Sequence, residues 1–538
     1  MHDDTQVARV YEMGKALKDG VFPVRWVQDL GYGYGYPIYN FYSPLPYYLG
    51  GFLNIVGFNP LIATKIVFVT AIVLAGVAMY LFIENFMGSL AGFVAGILYL
   101  YFPYHAVDTY VRGDLDELFA YAILPFVLLG FYRIFYTTQQ RPQIINNLKW
   151  IVLFSVSIAF LILSHNLTSY MLLILLFPLV IFSLIYSKNN LKFLSFIIFA
   201  LLLGFLLSSF YTIPAIFEMK YTNINSQIGG GANFLDHFVC ALQYWDSPWG
   251  FGGSTSGCID GLSFRIGKTN LIFFVISVIF YLYLLVKNKY KNNRFIFFSS
   301  IFLLIFVIFL TFDISSLIWQ NVPFMPFLQY PWRFLNFIGL FISISIGLFI
   351  FGLKGLFSNK MIYLVSVIII LSTFFINFKL FKSQFYTSND LNYSDSQYLK
   401  WTVSKISDEY MPINFNKPKS VKELPHASVQ IVEGDGEISN SSAKTDFIST
   451  NLYLITDSSV RLNIAYFPAW SIYVNGKLED YIIKNDGLYI NLKKGKYNLQ
   501  ARFRQTAIER ASNVLSIVGI FITIIAIIKY INYAKKTS

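Results

Sequence analysis

Four small groups of charged and polar residues stand out in an otherwise apolar chain. The opening "MHDDTQVAR" carries His2, Asp3 and Asp4. The stretch "YVRGDLDELF" sets Arg112 ahead of Asp114, Asp116 and Glu117. "LSHNLTS" contains His165, and "LQYPWRF" contains Trp332 and Arg333. Carboxylate, imidazole and guanidinium are the groups that move protons and hold phosphates. Each group also has an ordinary reading. Acids are favoured in the first turn of a helix, so Asp114, Asp116 and Glu117 can be caps of a helix that begins at Leu118. Arg112 either binds a phosphate or pairs with Asp114. Arg333 follows Pro331, which stops or kinks a helix, and stands at the entrance of an apolar run. A charge at that depth is costly unless it is paired, bound to an anion or snorkelling. His165 lies between two apolar segments, where a satisfied interfacial histidine is commoner than a ligand.

The motif search excludes several functions. There is no HExxH, no paired CxxC, no P-loop and no dinucleotide fingerprint, and no Ser-His-Asp arrangement follows from spacing. An ATP-driven pump and a zinc protease are therefore set aside. The chain has 538 residues, 56% hydrophobic and only 13% charged, against about 25% charged in a soluble domain. Most of it must be solvated by lipid. The aromatic share of 19% fits bilayer-facing Phe together with interfacial Tyr and Trp.

A spanning helix needs roughly 20 apolar residues. Runs near 60–82, 89–104, 117–136, 150–164, 167–186, 192–213, 270–286, 295–312, 334–352, 361–378 and 512–530 give about eleven spans. The runs 89–104 and 150–164 are short. The stretch 45–58, with Gly50-Gly51, is shorter still and reads as interfacial or re-entrant. Basic residues mark alternate connections: Arg133, Arg141 and Lys149; Lys188 and Lys192; Lys287, Lys289, Lys291 and Arg294; Lys354 and Lys360; then Lys529, Lys535 and Lys536 in the tail. By the positive-inside rule these face the cytoplasm, with the C-terminus. The net charge of +12 is thus a topology signal, and nucleic acid is not expected as a partner. Segments 1–59, 105–116, 214–269, 313–333 and 379–511 fall on the exterior of a cell membrane. An exterior 1–59 requires a helix before Met1 to carry it across, so a further first span is expected upstream; the alternative is one miscounted span and a cytoplasmic N-terminus.

The fold class expected is a polytopic α-helical membrane protein with an exterior β-rich, sandwich-like domain. Its parts are an exterior first loop with an interfacial helix (1–59), a helical domain (60–378), the β-rich domain (379–511), and a last helix with a basic tail (512–538). Within 379–511, alternating runs such as "VRLNIAYF", "SIYVNG" and "KYNLQARF" read as strands, and Asn475-Gly476 as a turn. Trp470 reads as a core or surface tryptophan before a sugar platform. The Gly-Tyr alternation of "GYGYGYPIYNFY" reads equally as sugar-stacking rings or as an aromatic belt at headgroup level. The loop 214–269, rich in Gly, Ser and Trp, suits a cover over a site. It holds both cysteines, Cys240 and Cys258, which an oxidising compartment would allow to pair. Asn166-Leu167-Thr168 matches a glycosylation sequon, too close to the membrane to be used.

"HDDTQVARVYEMGKALKDGVFPVRW", "GYGYGYPIYNFYSPLPYYL", "YVRGDLDELFAYAILPF", "LSHNLTS", "WGFGGSTSGCIDGLSFRIG" and "QYPWRF" together resemble bacterial and archaeal membrane proteins of the 6-pyruvoyl-tetrahydropterin synthase-related family. "YFPAWSIYVNGK" resembles the exterior domain of YfhO-type membrane proteins. The pterin name implies no pterin chemistry here, because five scattered His do not make the zinc site that chemistry needs. Both groups resemble the GT-C superfamily of membrane glycosyltransferases, whose first exterior loop carries an acidic residue.

That resemblance implies transfer of a sugar from a polyprenyl-phosphate donor to a glycan, lipid or protein acceptor. Carried over residue by residue, Asp3 is the base and Asp4 its rival or a metal ligand. The resemblance singles out no cofactor, and a divalent cation at Asp3 and Asp4 is left open. Arg112 and Arg333 face the phosphate. His2, Glu117, His165 and Trp332 bind or orient the substrate. Relatives are expected to carry His where Gln6 stands, so a histidine role there does not transfer. Two other classes compete: a transporter or flippase of a lipid-linked glycan, and a non-catalytic envelope assembly protein acting through its β domain.

Overall fold

The computed structural model describes residues 2–229, 232–287, 293–384, 405 and 407–537. Lys289, Lys291 and residues 385–404 of the β-rich segment, all used in the reading above, lie outside the described residues.

The chain begins with α1 (Gln6–Lys18), α2 (Ile38–Phe41) and α3 (Leu45–Ile55). Then come α4 (Pro60–Met87), α5 (Ser89–Leu100), α6 (Pro103–Ala106), α7 (Leu115–Gln140), α8 (Ile144–Ser164), α9 (Asn166–Tyr186) and α10 (Asn190–Glu218). A short α11 (Ala241–Trp245) sits in the loop before α12 (Lys268–Val286) and α13 (Arg294–Thr311). The short α14 (Ser316–Asn321) precedes α15 (Leu335–Leu353) and α16 (Asn359–Asn377), and α17 (Ala507–Thr537) ends the chain. Ten helices among the described residues are long and apolar enough to cross a membrane. In α7 and α15, 89% of the apolar window is buried, so these two form the centre of the bundle. In α12 and α17 only 22% is buried, leaving most of the surface for lipid.

The short span expected at 89–104 takes a different form. Helix α5 has 12 residues, about 18 Å of rise, too little for a bilayer core of about 30 Å. Pro103 disfavours helical backbone at Phe102, and the chain bends by 48° into the segment Pro103–Arg112. That second half is α6 followed by a π-helical turn, Val107–Arg112. Residues 105–112 are thus the second limb of a broken span, where a loop was expected. The Lys354 ammonium lies beside Gly88 at one end of the bundle, whereas Arg112 lies beside Asp3 at the other. The bent pair therefore runs from one end of the bundle to the other, and counted as one span it brings the candidate spans among the described residues to eleven.

The segments assigned to one side by loop charge do meet at one end. The His2 amide donates to Val111 O at 2.9 Å, and its Nε2 lies 3.0 Å from Phe251 O. Trp332 Nε1 donates to Ser254 Oγ at 3.1 Å, and the Ala465 amide to Tyr34 O at 3.0 Å. Connections at the opposite end also touch: Gln139 Nε2 donates to Ser187 Oγ at 2.8 Å, and Tyr533 OH to Asn146 Oδ1 at 3.1 Å.

The stretch 45–58 forms helix α3, which is not among the helices long and apolar enough to cross a membrane. Leu49, Phe52 and Ile55 are exposed, while Gly50 and Gly51 face α1. A Cβ on Gly50 would come within 2.6 Å of Val10 Cγ2, so only glycine permits this approach.

Among the described residues, the β-rich segment holds nine strands in two antiparallel sheets. One has the order β1 (Val429–Glu433), β4 (Ser458–Leu462), β8 (Gly487–Leu492), β7 (Ile482–Lys484). The other runs β2 (Gly436–Lys444), β3 (Phe447–Leu454), β9 (Gly495–Phe503), β5 (Trp470–Val474), β6 (Lys477–Glu479). Asn475 (φ 51°) and Gly476 (φ 80°) make the left-handed turn joining β5 to β6. Trp470 is a core residue, 5.3 Å edge-on from Trp26. The Gly-Tyr segment takes neither expected role: Tyr32, Tyr34, Tyr36 and Tyr39 are buried, and Tyr34 packs edge-on against Phe415 at 5.1 Å.

Candidate functional site

The charged residues converge where the broken span meets α7, α9, α15 and the N-terminal segment. Asp114 is the N-cap of α7, its Oδ1 accepting from the Glu117 amide at 3.0 Å, as the capping reading expects. Capping occupies only one of its oxygens. Arg112 stands on the π-helical turn, and Gly113 (φ 69°) reverses the chain just after it. Its Nη2 meets Asp114 Oδ2 at 2.6 Å, and its Nη1 meets Glu117 Oε2 at 2.6 Å and Asp108 Oδ1 at 2.8 Å. The guanidinium lies 5.0 Å over the Trp332 ring. Arg112 thus pairs with Asp114, one of its two expected roles, and with two further carboxylates.

Glu117 is the hub. Its Oε1 accepts from Asn336 Nδ2 at 2.7 Å and from Tyr104 OH at 2.9 Å. Its Oε2 also lies 3.6 Å from Arg333 Nε. Arg333 is buried rather than snorkelling, and its Nη1 reaches Leu328 O at 3.5 Å. Trp332 is buried too, stacked on Tyr330 at 4.9 Å and on Phe264 at 5.7 Å, so it forms a wall of the site.

The N-terminal acid pair splits. Asp3 is tied to the site by its amide, which donates to Arg112 O at 2.8 Å. Asp4 is exposed at a turn. Burial pushes the Asp3 carboxyl above its ordinary range, and the neighbouring Asp114 charge adds to this. Asp114 goes the other way. Burial opposes its charge, but Arg112, His165 and Arg333 outweigh that and hold it at about 2. His165 is pushed down to about 4 by burial, against the pull of Asp114 and Glu117, so it is neutral at pH 7. Its Nδ1 lies 2.7 Å from Thr168 Oγ1. Asp116 is buried near Arg9, Tyr42 and Tyr47, on the other side of the helix start.

Ligand atoms of Asp114, Glu117 and His165 lie within 4.8 Å of one another. Two carboxylate oxygens and an imidazole nitrogen suit a divalent cation. The cation left open at Asp3 and Asp4 is a different set from this one, and Asp4 is exposed at its turn. Four carboxylates (Asp3, Asp108, Asp114, Glu117) surround two guanidiniums (Arg112, Arg333) in a largely buried space. Asp108 Oδ2, Arg333 Nε and Asn336 Oδ1 are buried without a hydrogen-bond partner among the described residues.

Sequence reasoning missed Asp108, Tyr104 and Asn336. The spacing of Asp108 four residues before Arg112 was the available signal, since it places both on one helical face. The loop 214–269 reaches the cluster's neighbours at Phe251 O, 3.0 Å from His2 Nε2, and at Ser254 Oγ, 3.1 Å from Trp332 Nε1. The disulfide Cys240–Cys258 closes that loop, and Gln243 Nε2 donates to Asp260 Oδ2 at 2.7 Å inside it.

Residues 39–381 match the model of a family described as a 6-pyruvoyl-tetrahydropterin synthase related domain, a membrane protein. The match takes in Arg112, Asp114, Glu117, His165 and Arg333 and ends before the β sheets. No protein of curated function matches the chain.

Proposed function

The chain belongs to this 6-pyruvoyl-tetrahydropterin synthase related family of membrane proteins, and from that premise we propose that it is a membrane glycosyltransferase using a polyprenyl-phosphate sugar. The observation that carries the reading is the convergence, at one end of the bundle, of Asp3, Asp114 and Glu117 with the buried guanidiniums of Arg112 and Arg333.

In this reading Asp3 takes the proton of an acceptor hydroxyl as its oxygen attacks the anomeric carbon. The bond from that carbon to the phosphate oxygen breaks, and its electron pair leaves with the polyprenyl phosphate. Arg333 and Arg112 face the departing phosphate. Asp114, Glu117 and His165 would hold a divalent cation, which would add positive charge where the phosphate leaves. Asn336 and Tyr104 hold Glu117 in place through its other oxygen. The polyprenyl tail runs among the lipid-facing helices. The site end is exterior to the cytoplasm, and the tail bearing Lys535 and Lys536 is cytoplasmic, as the loop charges direct.

A transporter would place its polar residues near the middle of broken helices. Here the ionisable cluster lies at one end of the bundle, and the broken span meets it at the terminus of its second limb. The test uses the protein in proteoliposomes supplied with a radiolabelled polyprenyl-phosphate hexose or pentose and a mixed envelope-glycan acceptor. Transfer of label to acceptor, lost in Asp3→Asn, supports the reading. Movement of the intact lipid-linked sugar across the bilayer without transfer would replace it with the transporter.

A further inference from the structure

The β domain carries a second surface with its own chemistry, remote in kind from the charged cluster. The five-stranded sheet buries one face, through Leu452, Leu454, Leu499 and Ile472. Its other face bears a concavity of about 500 Å³, within the roughly 300–1,000 Å³ of small-molecule sites. Two cross-strand rows line it. Glu437 pairs with Tyr453 and Tyr453 with Lys496, while Ser439 pairs with Asn451 and Asn451 with Asn498. A shift of register between Ser439 and Ser442 bends β2 at the edge of this hollow.

Asparagine is depleted in strands, so two facing asparagines at the centre of a sheet call for a reason. Their side chains are fixed by a relay of amide hydrogen bonds. Arg502 Nη2 donates to Gln500 Oε1 at 2.8 Å, Gln500 Nε2 to Asn498 Oδ1 at 2.8 Å, and Asn498 Nδ2 to Asn451 Oδ1 at 2.9 Å. The relay orients every amide in one sense and delivers the Asn451 Nδ2 donor into the hollow. Beside it the Tyr453 ring is 48% exposed, with the Lys496 ammonium 5.4 Å from its centroid. Preset amides that donate and accept, a hydroxyl and an open aromatic ring match a sugar, whose hydroxyls need both partners and whose C–H faces stack on rings. The one acid and the one lysine in the lining, Glu437 and Lys496, cancel, so nothing selects for a charged ligand. Preorganised polar groups lose little entropy on binding.

We propose that this face binds an uncharged oligosaccharide, as a subsite independent of the transferase reading. The β2–β3 end of the sheet is anchored to the segment that carries Asp3. The Thr445 amide and hydroxyl donate to Asp19 Oδ2 at 2.9 and 2.8 Å, and Asp19 caps α1. A glycan held here is thereby held by the body that presents the charged cluster.

The test is titration of the full-length protein in nanodiscs with gluco-, manno-, galacto- and N-acetylglucosamine hexasaccharides, with a heparin hexasaccharide as the charged probe. Binding of at least one neutral chain is expected. Tyr453→Ala and Asn451→Ala should each weaken it about tenfold, and Tyr453→Phe should retain it. Both positions are on the face away from the sheet's buried side, so the unfolding temperatures of the three variants should match wild type. Asp3→Asn should bind normally, which separates this surface from the charged cluster. Failure of every neutral chain, tighter binding of heparin, or undiminished binding in both alanine variants would overturn the proposal.

Discussion

Two buried guanidiniums in this molecule are surrounded in different ways. Arg112 touches three carboxylates directly, at 2.6, 2.6 and 2.8 Å. Arg25 touches none closer than 3.7 Å, the distance from its Nε to Glu509 Oε1. Its short contacts are neutral: Nη1 to Asn40 Oδ1 at 2.7 Å and Nη2 to Asn513 Oδ1 at 2.9 Å. Asn40 Nδ2 in turn bridges Glu218 at 3.0 Å and Glu509 at 2.9 Å. The Arg25 centre spaces its charges with amides and fastens the N-terminal segment to α10 and α17. The Arg112 centre packs its charges together and leaves Asp108 Oδ2, Arg333 Nε and Asn336 Oδ1 unbonded, where the Arg25 centre leaves only Arg25 Nε. One arrangement joins elements, and the other crowds three carboxylates around one guanidinium.

Replacement of Arg112 should show the largest effect. Arg112→Met leaves three buried acids facing one another and should cost about 3–5 kcal/mol, read as a lowered unfolding temperature in detergent. Arg112→Lys should restore most stability but not transfer, because a single ammonium cannot reach three carboxylates as the planar fork does. Arg25→Met should cost about 1–3 kcal/mol and leave the turnover of the folded fraction intact. Equal losses of turnover in the two Met variants would erase the distinction.

The two centres also differ in their covers. Helix packing closes the Arg25 centre, whereas the 240–258 disulfide loop reaches the Arg112 centre through Phe251 and Ser254. A Cys240→Ser/Cys258→Ser variant should lose about 2–3 kcal/mol of loop stability. Limited proteolysis should then cut within 246–261, and transfer should fall while contacts at Arg25 persist. Resistance to the protease would show that the loop is held without its bridge.

A smaller effect lies at Glu409, near Arg9. Burial raises its carboxyl from an ordinary 4.5 to about 7, with Arg9 opposing and Asp408 assisting. Between those values the folded chain keeps a proton that the unfolded chain has lost, so this contribution to stability falls as pH rises through that window. Glu409→Gln keeps the neutral form. It should gain on wild type by about 1 kcal/mol at pH 8 and show no gain at pH 4. A pH-independent difference in melting temperature would contradict the assignment.

How far each region was legible follows from how local its causes are. Apolar runs long enough to span declare themselves, and the charges between them sorted the connections that meet at each end of the bundle. The break at Phe102-Pro103 hid inside an apolar run, because the second limb, with Asp108 and Arg112, reads as a polar loop. The tyrosines of the Gly-Tyr segment were misread because their cover is the β domain some four hundred residues later, reached through Phe415 and Ala465. Asp114, Glu117, His165 and Arg333 were visible by residue type at helix ends. That Asp108 completes the set, and that Asp4 leaves it, depends on side-chain directions set by a π-helical turn and an N-terminal turn that spacing alone does not fix. The Arg25 centre was not visible at all, since its partners come from residues 40, 218, 509 and 513.

The most direct measurement compares wild type and Asp3→Asn in a single-turnover sugar-transfer assay, with donor binding and unfolding temperature measured in parallel. The account predicts a rate lower by about 10²–10⁴-fold, with unchanged donor affinity and unchanged unfolding temperature. A variant that transfers sugar at the wild-type rate would contradict it.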